Sequence, residues 1–386
     1  MKKTVAILGS TGSIGKNTLR VISQLGKRFK VVALAAGGNT KLLAKQIDRF
    51  RPRLAAIMDK TKFTSLKKAV KARTKLLAGQ QAIEKVAACG ADIVVMAIGG
   101  SAALLPTLKS LENSKRLALA NKECLVMAGD IIIRQAKRQG VEIIPIDSEH
   151  SAIFQCLKDE PSSSLEKIYL TGSGGPLKDI AKDDFEFVEP DFALRHPRWK
   201  MGKKISIDSA TMMNKGFEVI EASELFDLPP HNIEVLIHPE AIVHSLIQFI
   251  DGSILAQLGK ADMRIPIQYA LTYPRRFPLG MAKFDFSQVK GLSFTSPDLT
   301  KFPCLKLALE AAKSGGLAKA VLCGADEECV WAYLQGKIRI SDIARIIEDV
   351  LSKLRNKVNP ALDEILQVEV WARGQVKSKI KMQKSK

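Results

Sequence analysis

The alternation of short apolar runs with amphipathic stretches over residues 1–147 restricts the fold more than any other feature of this sequence. Stretches such as Lys41–Phe50 and Ala102–Leu111 have helical spacing. Strands that are apolar throughout and are joined by helices form a parallel, doubly wound sheet. The pattern therefore predicts a Rossmann-like α/β domain over residues 1–147. The predicted strands are Thr4–Leu8, Lys30–Ala35, Leu54–Met58, Asp92–Ile98, Leu117–Ala120 and Glu142–Ile146.

The pattern changes over residues 148–274, where helices and strands no longer alternate regularly. Helices are predicted at Ser148–Leu157 and Asn214–Phe226. Strands Ile242–Ile250 and Ser253–Leu258 are separated by an Asp-Gly turn, which is typical of an antiparallel hairpin. We therefore expect an α+β domain over these residues. Its other predicted strands are Lys167–Leu170, Lys204–Ile207 and Ile233–Ile237.

Residues 275–303 are rich in proline and phenylalanine and are predicted to be a connector. Residues 304–386 that follow have helical spacing, so a small C-terminal helical bundle is expected. Its predicted helices are Cys304–Lys313, Asp326–Leu334, Ser341–Leu354 and Ala361–Ala372.

The composition, with 46% hydrophobic and 26% charged residues, is that of a globular protein. No apolar run reaches the ~20 residues that a membrane-spanning helix requires. The apolar run Val5–Leu8 meets glycines at once, so a first strand is favoured over a secretory signal. The cysteines are scattered without a C-x-x-C pair, which is typical of reduced thiols in a cytoplasmic protein.

The net charge of +19 has two interpretations. One is neutralisation of nucleic-acid phosphates, and the other is a basic surface suited to small anionic substrates. The basic residues are spread along the chain, and the dense run is the C-terminal KSKIKMQKSK. We expect no nucleic-acid partner and no membrane partner, although a basic nucleotide- or nucleic-acid-binding protein remains the non-enzymatic alternative.

A glycine-rich loop follows the first predicted strand. It reads Gly9-Ser-Thr-Gly12-Ser-Ile-Gly15 and leads into a helical stretch. Glycines at such a junction let the backbone approach a pyrophosphate, and the helix N-terminus supplies free N–H groups. The spacing is G-x-x-G-x-x-G rather than G-x-G-x-x-G, so a purely structural turn is the alternative.

The second predicted strand ends in Ala36-Gly37-Gly38-Asn39. An NAD enzyme usually carries an acid here, which binds the ribose 2′-hydroxyl. None is present, so a 2′-phosphate would not be repelled and NADP is favoured. No arginine is present either. The run therefore lacks the acid that selects NAD, but it does not itself supply a basic residue that would bind the 2′-phosphate of NADP.

Carboxylates cluster where the last predicted strand of the first domain meets a helix. Asp147 and Glu149 can converge on one divalent ion if the backbone stays extended, and Glu218 offers a third carboxylate one helical turn from Asn214. Ligands that are all oxygen suit Mg²⁺ or Mn²⁺, with Co²⁺ as a further candidate. A helix cap by Glu149 is the alternative.

Two further segments have the residue types of a phosphate site. Ser173 lies in a glycine turn after a strand, and Ser209, Asn214 and Lys215 add a hydroxyl, an amide and a positive charge. A solvated serine turn is the alternative. The run His196–Gly202, which contains Trp199, is either a surface loop or a lid that closes over substrate.

The segment His196–Glu218, HPRWKMGKKISIDSATMMNKGFE, resembles the 1-deoxy-D-xylulose 5-phosphate reductoisomerase family. The resemblance continues in order along the chain. The other matching runs are GSTGSIG at 9–15, ANKE at Ala120–Glu123, IDSEHSAIFQ at Ile146–Gln155, LTGSGGP at Leu170–Pro176 and DGSILAQLGKADMRIPIQYAL at Asp251–Leu271.

The resemblance implies an NADPH-dependent and divalent-metal-dependent enzyme, usually a homodimer. Its substrate is a sugar phosphate, 1-deoxy-D-xylulose 5-phosphate, and its product is 2-C-methyl-D-erythritol 4-phosphate of the non-mevalonate isoprenoid pathway. Rearrangement by a ketol shift and by retro-aldol cleavage with re-addition are both compatible with the sequence.

The resemblance also implies roles for individual residues, with Lys122, Glu149 and His196 as the catalytic ones. Metal ligands would be Asp147, Glu149 and Glu218. The substrate phosphate would contact Ser173, Ser209, Asn214, Lys215 and His196, the rest of the sugar Lys122 and Ser148, and the lid residues would be Trp199 and Met201. NADPH would contact Thr11, Gly12, Ser13, Ile14, Gly37, Gly38, Asn39, Asn121, Glu123 and Gly202.

A few positions depart from the family pattern. Gly38 stands where many members carry a basic residue, and Arg198 and Lys200 make the lid more basic. The run Gly324–Glu327 replaces a more common Asn-Ala-Ala-Asn-Glu, which we expect to affect packing more than chemistry. A semialdehyde dehydrogenase with a nucleophilic cysteine, for which Cys124 or Cys156 would have to serve, is the enzymatic alternative.

Overall fold

The structure, a computed structural model, describes residues 2–199 and 201–383. Lys200 and residues 384–386 of the basic tail lie outside the described residues. The chain divides into two compact units. Unit 1 comprises Met1–Cys124, Ile131–Ser151 and Asp262–Lys283, and unit 2 comprises Leu125–Asp130, Ala152–Ala261 and Phe284–Lys386. The finer predicted division at residues 147, 274 and 303 stays a prediction.

Unit 1 is built on a seven-stranded sheet in which every pairing is parallel. The strand order β4-β3-β2-β1-β5-β6-β7 confirms the predicted doubly wound, Rossmann-like architecture. Its strands are β1 (Lys3–Leu8), β2 (Phe29–Ala36), β3 (Leu54–Ile57), β4 (Lys75–Ala78), β5 (Ile93–Met96), β6 (Arg116–Leu119) and β7 (Glu142–Pro145). β4 was not predicted from the sequence, and in the structure this short edge strand has no fully buried residue.

Helices connect these strands, so the carboxyl ends of the strands open at one edge of the sheet. Six helices follow strands in this region: α1 (Ser13–Leu25), α2 (Thr40–Phe50), α3 (Phe63–Ala69), α4 (Gln80–Ala87), α5 (Leu104–Ser110) and α6 (Glu123–Gln139). α7 (Ser148–Cys156) follows β7. The apolar strands form the core, since Val5–Leu8 and Val94–Met96 are fully buried.

Unit 2 contains a four-stranded mixed sheet of order β11-β10-β8-β9. Its strands are β8 (Leu165–Gly172), β9 (Ile233–Ile237), β10 (Val243–Phe249) and β11 (Ile254–Leu258). The antiparallel β10–β11 pair confirms the predicted hairpin, and β8 pairs with β9 in parallel.

One predicted strand of unit 2 is wrong. Lys204–Ile207 lies inside a helix, α9 (Lys203–Ala210), which follows the short α8 (Pro190–Ala193). Two isoleucines, Ile205 and Ile207, are too short a pattern to distinguish the two-residue period of a strand from the 3.6-residue period of a helix. The helix brings Lys204 within 2.6 Å of Asp208, four residues on, and Asp326 of a later helix lies 2.9 Å from the same ammonium.

Four helices confirm the predicted C-terminal helical region, and two of them are longer than expected. They are α12 (Pro303–Ser314), α13 (Leu317–Leu334), α14 (Ile340–Ser352) and α15 (Leu362–Gln383). α10 (Met213–Phe226) also belongs to unit 2, while α11 (Arg264–Thr272) belongs to unit 1. α13 begins nine residues before the predicted start at Asp326. These nine residues are all buried, so they lack the amphipathic period by which a helix is predicted from sequence. No helix within residues 2–199 and 201–383 is long and apolar enough to cross a membrane.

A close helix contact fixes the position of α10. A Cβ on Gly216 would lie 2.2 Å from the Cβ of Ala308 on α12, so a hydrogen atom at this position lets the two helices touch. Gly374 on α15 is also a helical glycine, but a Cβ there would meet nothing within 4 Å. The same substitution therefore has opposite expected effects at the two positions.

We expect Gly216→Ala to lower the free energy of unfolding by ~1–2 kcal/mol, because overpacking outweighs the better helix propensity of alanine. The matched Gly374→Ala variant should raise it by ~0.5–1 kcal/mol through propensity alone. Urea unfolding followed by circular dichroism measures both changes. A Gly216→Ala protein as stable as Gly374→Ala would show that the α10–α12 contact is not tight.

Candidate active site

The glycine loop after β1 forms an open anion cradle in unit 1. Gly9 has a φ of +84°, and a Cβ there would lie 2.2 Å from the Ala97 carbonyl oxygen. A Cβ on Gly15 would lie 2.4 Å from the Gly9 carbonyl oxygen. Gly12 begins α1 without any side-chain cap. The first-turn N–H groups and the positive end of the helix dipole are therefore available to a pyrophosphate. Glycine is needed in this loop because a side chain at Gly9 or Gly15 would clash with neighbouring backbone.

The loop after β2 contains Gly37, Gly38 and Asn39. The Asn39 side chain accepts a hydrogen bond of 3.1 Å from the Leu42 N–H and thereby caps α2. The Asp59 N–H, at the end of β3, donates to the Gly37 carbonyl oxygen at 3.0 Å. The fold thus places an acid beside this loop. Asp59 could not be predicted here from the residues that follow β2, because it comes from the loop after β3.

The loop after β6 carries Asn121, Lys122 and Glu123, all of which are buried. The Asn121 amide donates to the Ile98 carbonyl oxygen at 3.0 Å and to Glu123 at 2.8 Å, which ties this loop to the loop after β5. Rigid loops at the carboxyl ends of neighbouring strands are where α/β proteins bind ligands.

Lys122 and Asp147 form a buried ion pair at this edge of the sheet. The Lys122 Nζ lies 2.7 Å from Asp147 Oδ2, and the lysine side chain is 5% exposed. Burial by itself raises the pKa of Asp147, but the Lys122 ammonium holds that pKa well below its usual range. The Ser148 hydroxyl donates to Glu149 Oε2 at 2.5 Å. Unit 1 therefore presents two adjacent carboxylates, Asp147 and Glu149, with a lysine and a hydroxyl beside them.

In unit 2 a glycine turn after β8 packs against two predicted phosphate residues. A Cβ on Gly175 would lie 2.4 Å from the Ser209 carbonyl oxygen, and one on Gly172 would lie 2.7 Å from Lys215 Cε. Ser173 lies between these glycines. The turn thus brings Ser173, Ser209 and Lys215 into one region, and glycine is required because a side chain would push them apart.

The Glu218 carboxylate is held by its own helix. It is 1% exposed, accepts from the Lys215 ammonium at 2.5 Å and also accepts from the Asn214 amide. Met212, which precedes α10, has a φ of +60°, a strained conformation for a residue with a side chain. The sharp turn sets Asn214 and Lys215 in the first turn of α10, where the helix dipole favours an anion.

His196 faces the Ser173 turn. Its Nδ1 accepts from the Trp199 N–H at 2.9 Å and the Arg198 N–H at 3.2 Å, so the neutral ring carries its proton on Nε2. That Nε2 lies 3.3 Å from Ser173 Oγ. Burial, together with the Lys215 ammonium, lowers the pKa of His196 to about 4. The ring is therefore a neutral donor directed at the serine turn.

The loop from His196 to Gly202 has no regular secondary structure in its described residues. Trp199 and Met201 are half-buried and Gly202 is exposed. The Arg198 guanidinium donates to the Pro239 carbonyl oxygen at 2.9 Å, which attaches the loop to the segment before β10.

The thiols do not support the semialdehyde dehydrogenase alternative. Burial raises the pKa of Cys156 to about 11, and Cys124 is fully buried with its thiol donating to the Asn121 carbonyl oxygen at 3.2 Å. A cysteine nucleophile requires a lowered pKa.

The predicted site residues are distributed over both units. Unit 1 contains Thr11, Gly12, Ser13, Ile14, Gly37, Gly38, Asn39, Asn121, Lys122, Glu123, Asp147, Ser148 and Glu149. Unit 2 contains Ser173, His196, Trp199, Met201, Gly202, Ser209, Asn214, Lys215 and Glu218.

Comparison with known proteins gives consistent matches along the chain. Three family models match, described as 1-deoxy-D-xylulose 5-phosphate reductoisomerase over residues 5–129, its C-terminal domain over 143–226 and the DXP reductoisomerase C-terminal domain over 258–375. The chain is 47% identical over 379 residues to the 1-deoxy-D-xylulose 5-phosphate reductoisomerase of Thermoanaerobacter pseudethanolicus, covering 98% of each chain.

Two solved structures of such enzymes have the same fold. The Zymomonas mobilis enzyme in complex with NADPH has a TM-score of 0.92 and 40% identity, with 98% of this chain and 99% of that chain covered. A DOX-P reductoisomerase in complex with NADPH, fosmidomycin and magnesium has a TM-score of 0.93 and 41% identity, with 99% of both chains covered.

We expect His196 to titrate near pH 4 in the ligand-free protein rather than near the ordinary value of 6.5. Lys215→Met should raise this pKa because it removes a nearby positive charge, while the exposed-lysine control Lys203→Met should leave it unchanged. Proton NMR measures the titration through the chemical shift of the hydrogen on the His196 Cε1 atom. The His196→Asn variant assigns this signal. A midpoint near 6.5 in the wild-type protein would contradict a buried, neutral ring.

Proposed function

Because this chain belongs to the 1-deoxy-D-xylulose 5-phosphate reductoisomerase family, we propose that the residues described above carry out the family's reaction here. That reaction is the NADPH- and metal-dependent rearrangement and reduction of 1-deoxy-D-xylulose 5-phosphate to 2-C-methyl-D-erythritol 4-phosphate in isoprenoid biosynthesis. The observation that carries the residue assignment is the cluster of Ser173, His196, Ser209 and Lys215 beside the first turn of α10. A hydroxyl pair, a neutral N–H donor, an ammonium and a helix N-terminus together suit a phosphate dianion.

Asp147, Glu149 and Glu218 are the proposed ligands of a divalent cation. Each is a carboxylate at least partly withdrawn from solvent, and Asp147 and Glu218 are each paired with a buried lysine. The donor set is all oxygen, which fits Mg²⁺ or Mn²⁺, with Co²⁺ as a further candidate. A bound cation would polarise the substrate carbonyl and lower the pKa of the neighbouring hydroxyl.

Lys122, Glu149 and His196 are the proposed catalytic residues. The Lys122 ammonium is a donor fixed by Asp147 and can orient a sugar oxygen. The Glu149 carboxylate, which accepts a hydrogen bond from the Ser148 hydroxyl at Oε2, would accept a proton from a sugar hydroxyl. His196 would donate from Nε2 to the substrate phosphate and so contribute by orientation.

NADPH is the proposed reductant, and the glycine cradle after β1 would hold its pyrophosphate. Support comes from the uncapped start of α1 and from the Asn39 and Asn121 loops, which line the same edge of the sheet. The proposed contacts are Thr11, Gly12, Ser13, Ile14, Gly37, Gly38, Asn39, Asn121, Glu123 and Gly202.

We further propose that the enzyme works as a cytoplasmic homodimer with the His196–Gly202 loop as a lid. None of the six cysteines forms a disulfide, which supports a reducing compartment. Exclusion of water by a lid strengthens charge interactions in the site and protects an aldehyde intermediate.

Glu218→Gln should fold normally and lose at least ~100-fold in turnover, because it removes one negative charge from the proposed metal site. NADPH oxidation with substrate and Mn²⁺ measures turnover, and Mn²⁺ titration by electron paramagnetic resonance measures metal affinity. Glu348→Gln, at an exposed carboxylate on α14, is the matched control. Wild-type activity and wild-type Mn²⁺ affinity in Glu218→Gln would remove this residue from the site.

Trp199 fluorescence should change when fosmidomycin binds in the presence of Mg²⁺, because lid closure moves the indole into a dry environment. Trp331 is 41% exposed on α13 and Trp371 lies on α15, so a Trp331→Phe/Trp371→Phe variant should keep the signal. Trp199→Ala should lose it together with ~1–3 kcal/mol of transition-state stabilisation. If Trp199→Ala retains both the signal and the wild-type kcat/KM, the loop is only a connector.

A further inference from the structure

The Lys62 side chain occupies the space next to Gly38. A Cβ on Gly38 would lie 3.1 Å from Lys62 Nζ and 3.7 Å from its Cδ. Lys62 ends a short helical turn between β3 and α3, and its side chain is 50% exposed. The Lys62 ammonium therefore lies in the space that a side chain on residue 38 would enter, although Lys62 is 24 residues further along the chain.

The topology of the sheet explains this placement. β3 pairs with β2 in parallel, with Ala36 opposite Ile57, so the loops that follow the two strands leave the sheet side by side. The Met58 N–H donates to the Ala36 carbonyl oxygen at 2.9 Å, and the Asp59 N–H donates to the Gly37 carbonyl oxygen at 3.0 Å. These backbone hydrogen bonds fix the start of the Lys62 turn against the Gly37–Gly38 loop.

The loop after β2 of a dinucleotide-binding sheet is where the ribose 2′ position of the cofactor is recognised. Here that loop has neither an acid nor a basic residue, and glycine at position 38 leaves room for a side chain from elsewhere. We propose that Lys62 binds the 2′-phosphate of NADPH and thereby determines the preference of this enzyme for NADPH over NADH. This inference rests on the NADPH use proposed above.

Asp59 also lies beside Gly38, so a 2′-phosphate bound there would need a neighbouring cation. Its Oδ2 lies 3.8 Å from the position of a Cβ on Gly38 and 3.6 Å from Lys62 Nζ. The Thr61 hydroxyl and N–H both donate to its Oδ1, at 2.6 and 3.0 Å, and they hold the pKa of Asp59 below its usual range. An ionised carboxylate here would favour a 2′-hydroxyl and repel a 2′-phosphate. The Lys62 ammonium offsets that charge and offers donors to the phosphate.

The experiment is calorimetric titration of the metal-free protein with NADPH, NADH and 2′,5′-ADP. Lys62→Ala should raise the Kd of NADPH and of 2′,5′-ADP about tenfold, equivalent to about 1.4 kcal/mol, and leave the Kd of NADH within about twofold. The exposed Lys68→Ala variant on α3 loses the same charge and is the matched control. It should change all three Kd values within about twofold.

A relocated charge provides a second arm. Gly38 does not require a positive φ, and truncation of Lys62 frees the space beside it, so Lys62→Ala/Gly38→Lys should return the Kd of 2′,5′-ADP to within about threefold of wild type. Because the contact is electrostatic, the NADPH preference of the wild type should also shrink as salt rises, and that of Lys62→Ala should not.

The proposal is overturned if Lys62→Ala weakens NADPH and NADH equally, if it weakens neither, or if Lys68→Ala matches its effect. Failure of the wild-type protein to prefer NADPH over NADH would instead overturn the cofactor assignment of the proposed function. The two failures are distinguishable because the wild type and the variant are titrated separately.

Discussion

The parallel sheet of unit 1 is the constraint from which much of the proposed site derives. Because all seven strands run in the same direction, the loops that leave their carboxyl ends share one edge. The glycine cradle after β1, the Asn39 cap after β2, the Asn121–Glu123 loop after β6 and the Asp147–Glu149 run after β7 all lie at this edge. Antiparallel strands would have sent alternate loops to opposite edges. The fold therefore collects polar groups from distant parts of the chain without requiring them to be neighbours in sequence.

Each unit contains a carboxylate of the proposed metal site that is paired with a buried lysine. Lys122 pairs with Asp147 in unit 1, and Lys215 pairs with Glu218 in unit 2. An unpaired charge is costly to remove from water, and an oppositely charged partner offsets part of that cost. Each pair places an ammonium group beside one of the proposed metal ligands. Lys204, held between Asp208 and Asp326, shows the same device used for packing α9 against α13.

Close backbone contacts set the positions of several elements of unit 2. Gly172 and Gly175 let the Ser173 turn approach Lys215 and Ser209, and Gly324 lets α13 approach α15, where a Cβ would lie 2.8 Å from the Glu369 carbonyl oxygen. In the run Gly324–Glu327, Asp326 is also a buried ion-pair partner of Lys204. A sequence shows where the glycines are, but only the three-dimensional structure shows which residues each of them contacts.

The sequence by itself determined the class of fold, because continuous apolar strands separated by helices can be buried only as a parallel sheet covered on both faces. It also determined the types of residue in the site, since its long motifs resemble one family throughout the chain. Tertiary structure decided what local pattern could not. The stretch Lys204–Ile207 alternates like a strand but is helical, because its i,i+4 ion pair and its burial favour that form. Likewise, the loop Gly37–Asn39 contains no charged residue. The pairing of β3 with β2 nevertheless places Asp59 and Lys62 beside Gly38. Hydrogen bonds between strands bring together residues that no sequence spacing relates.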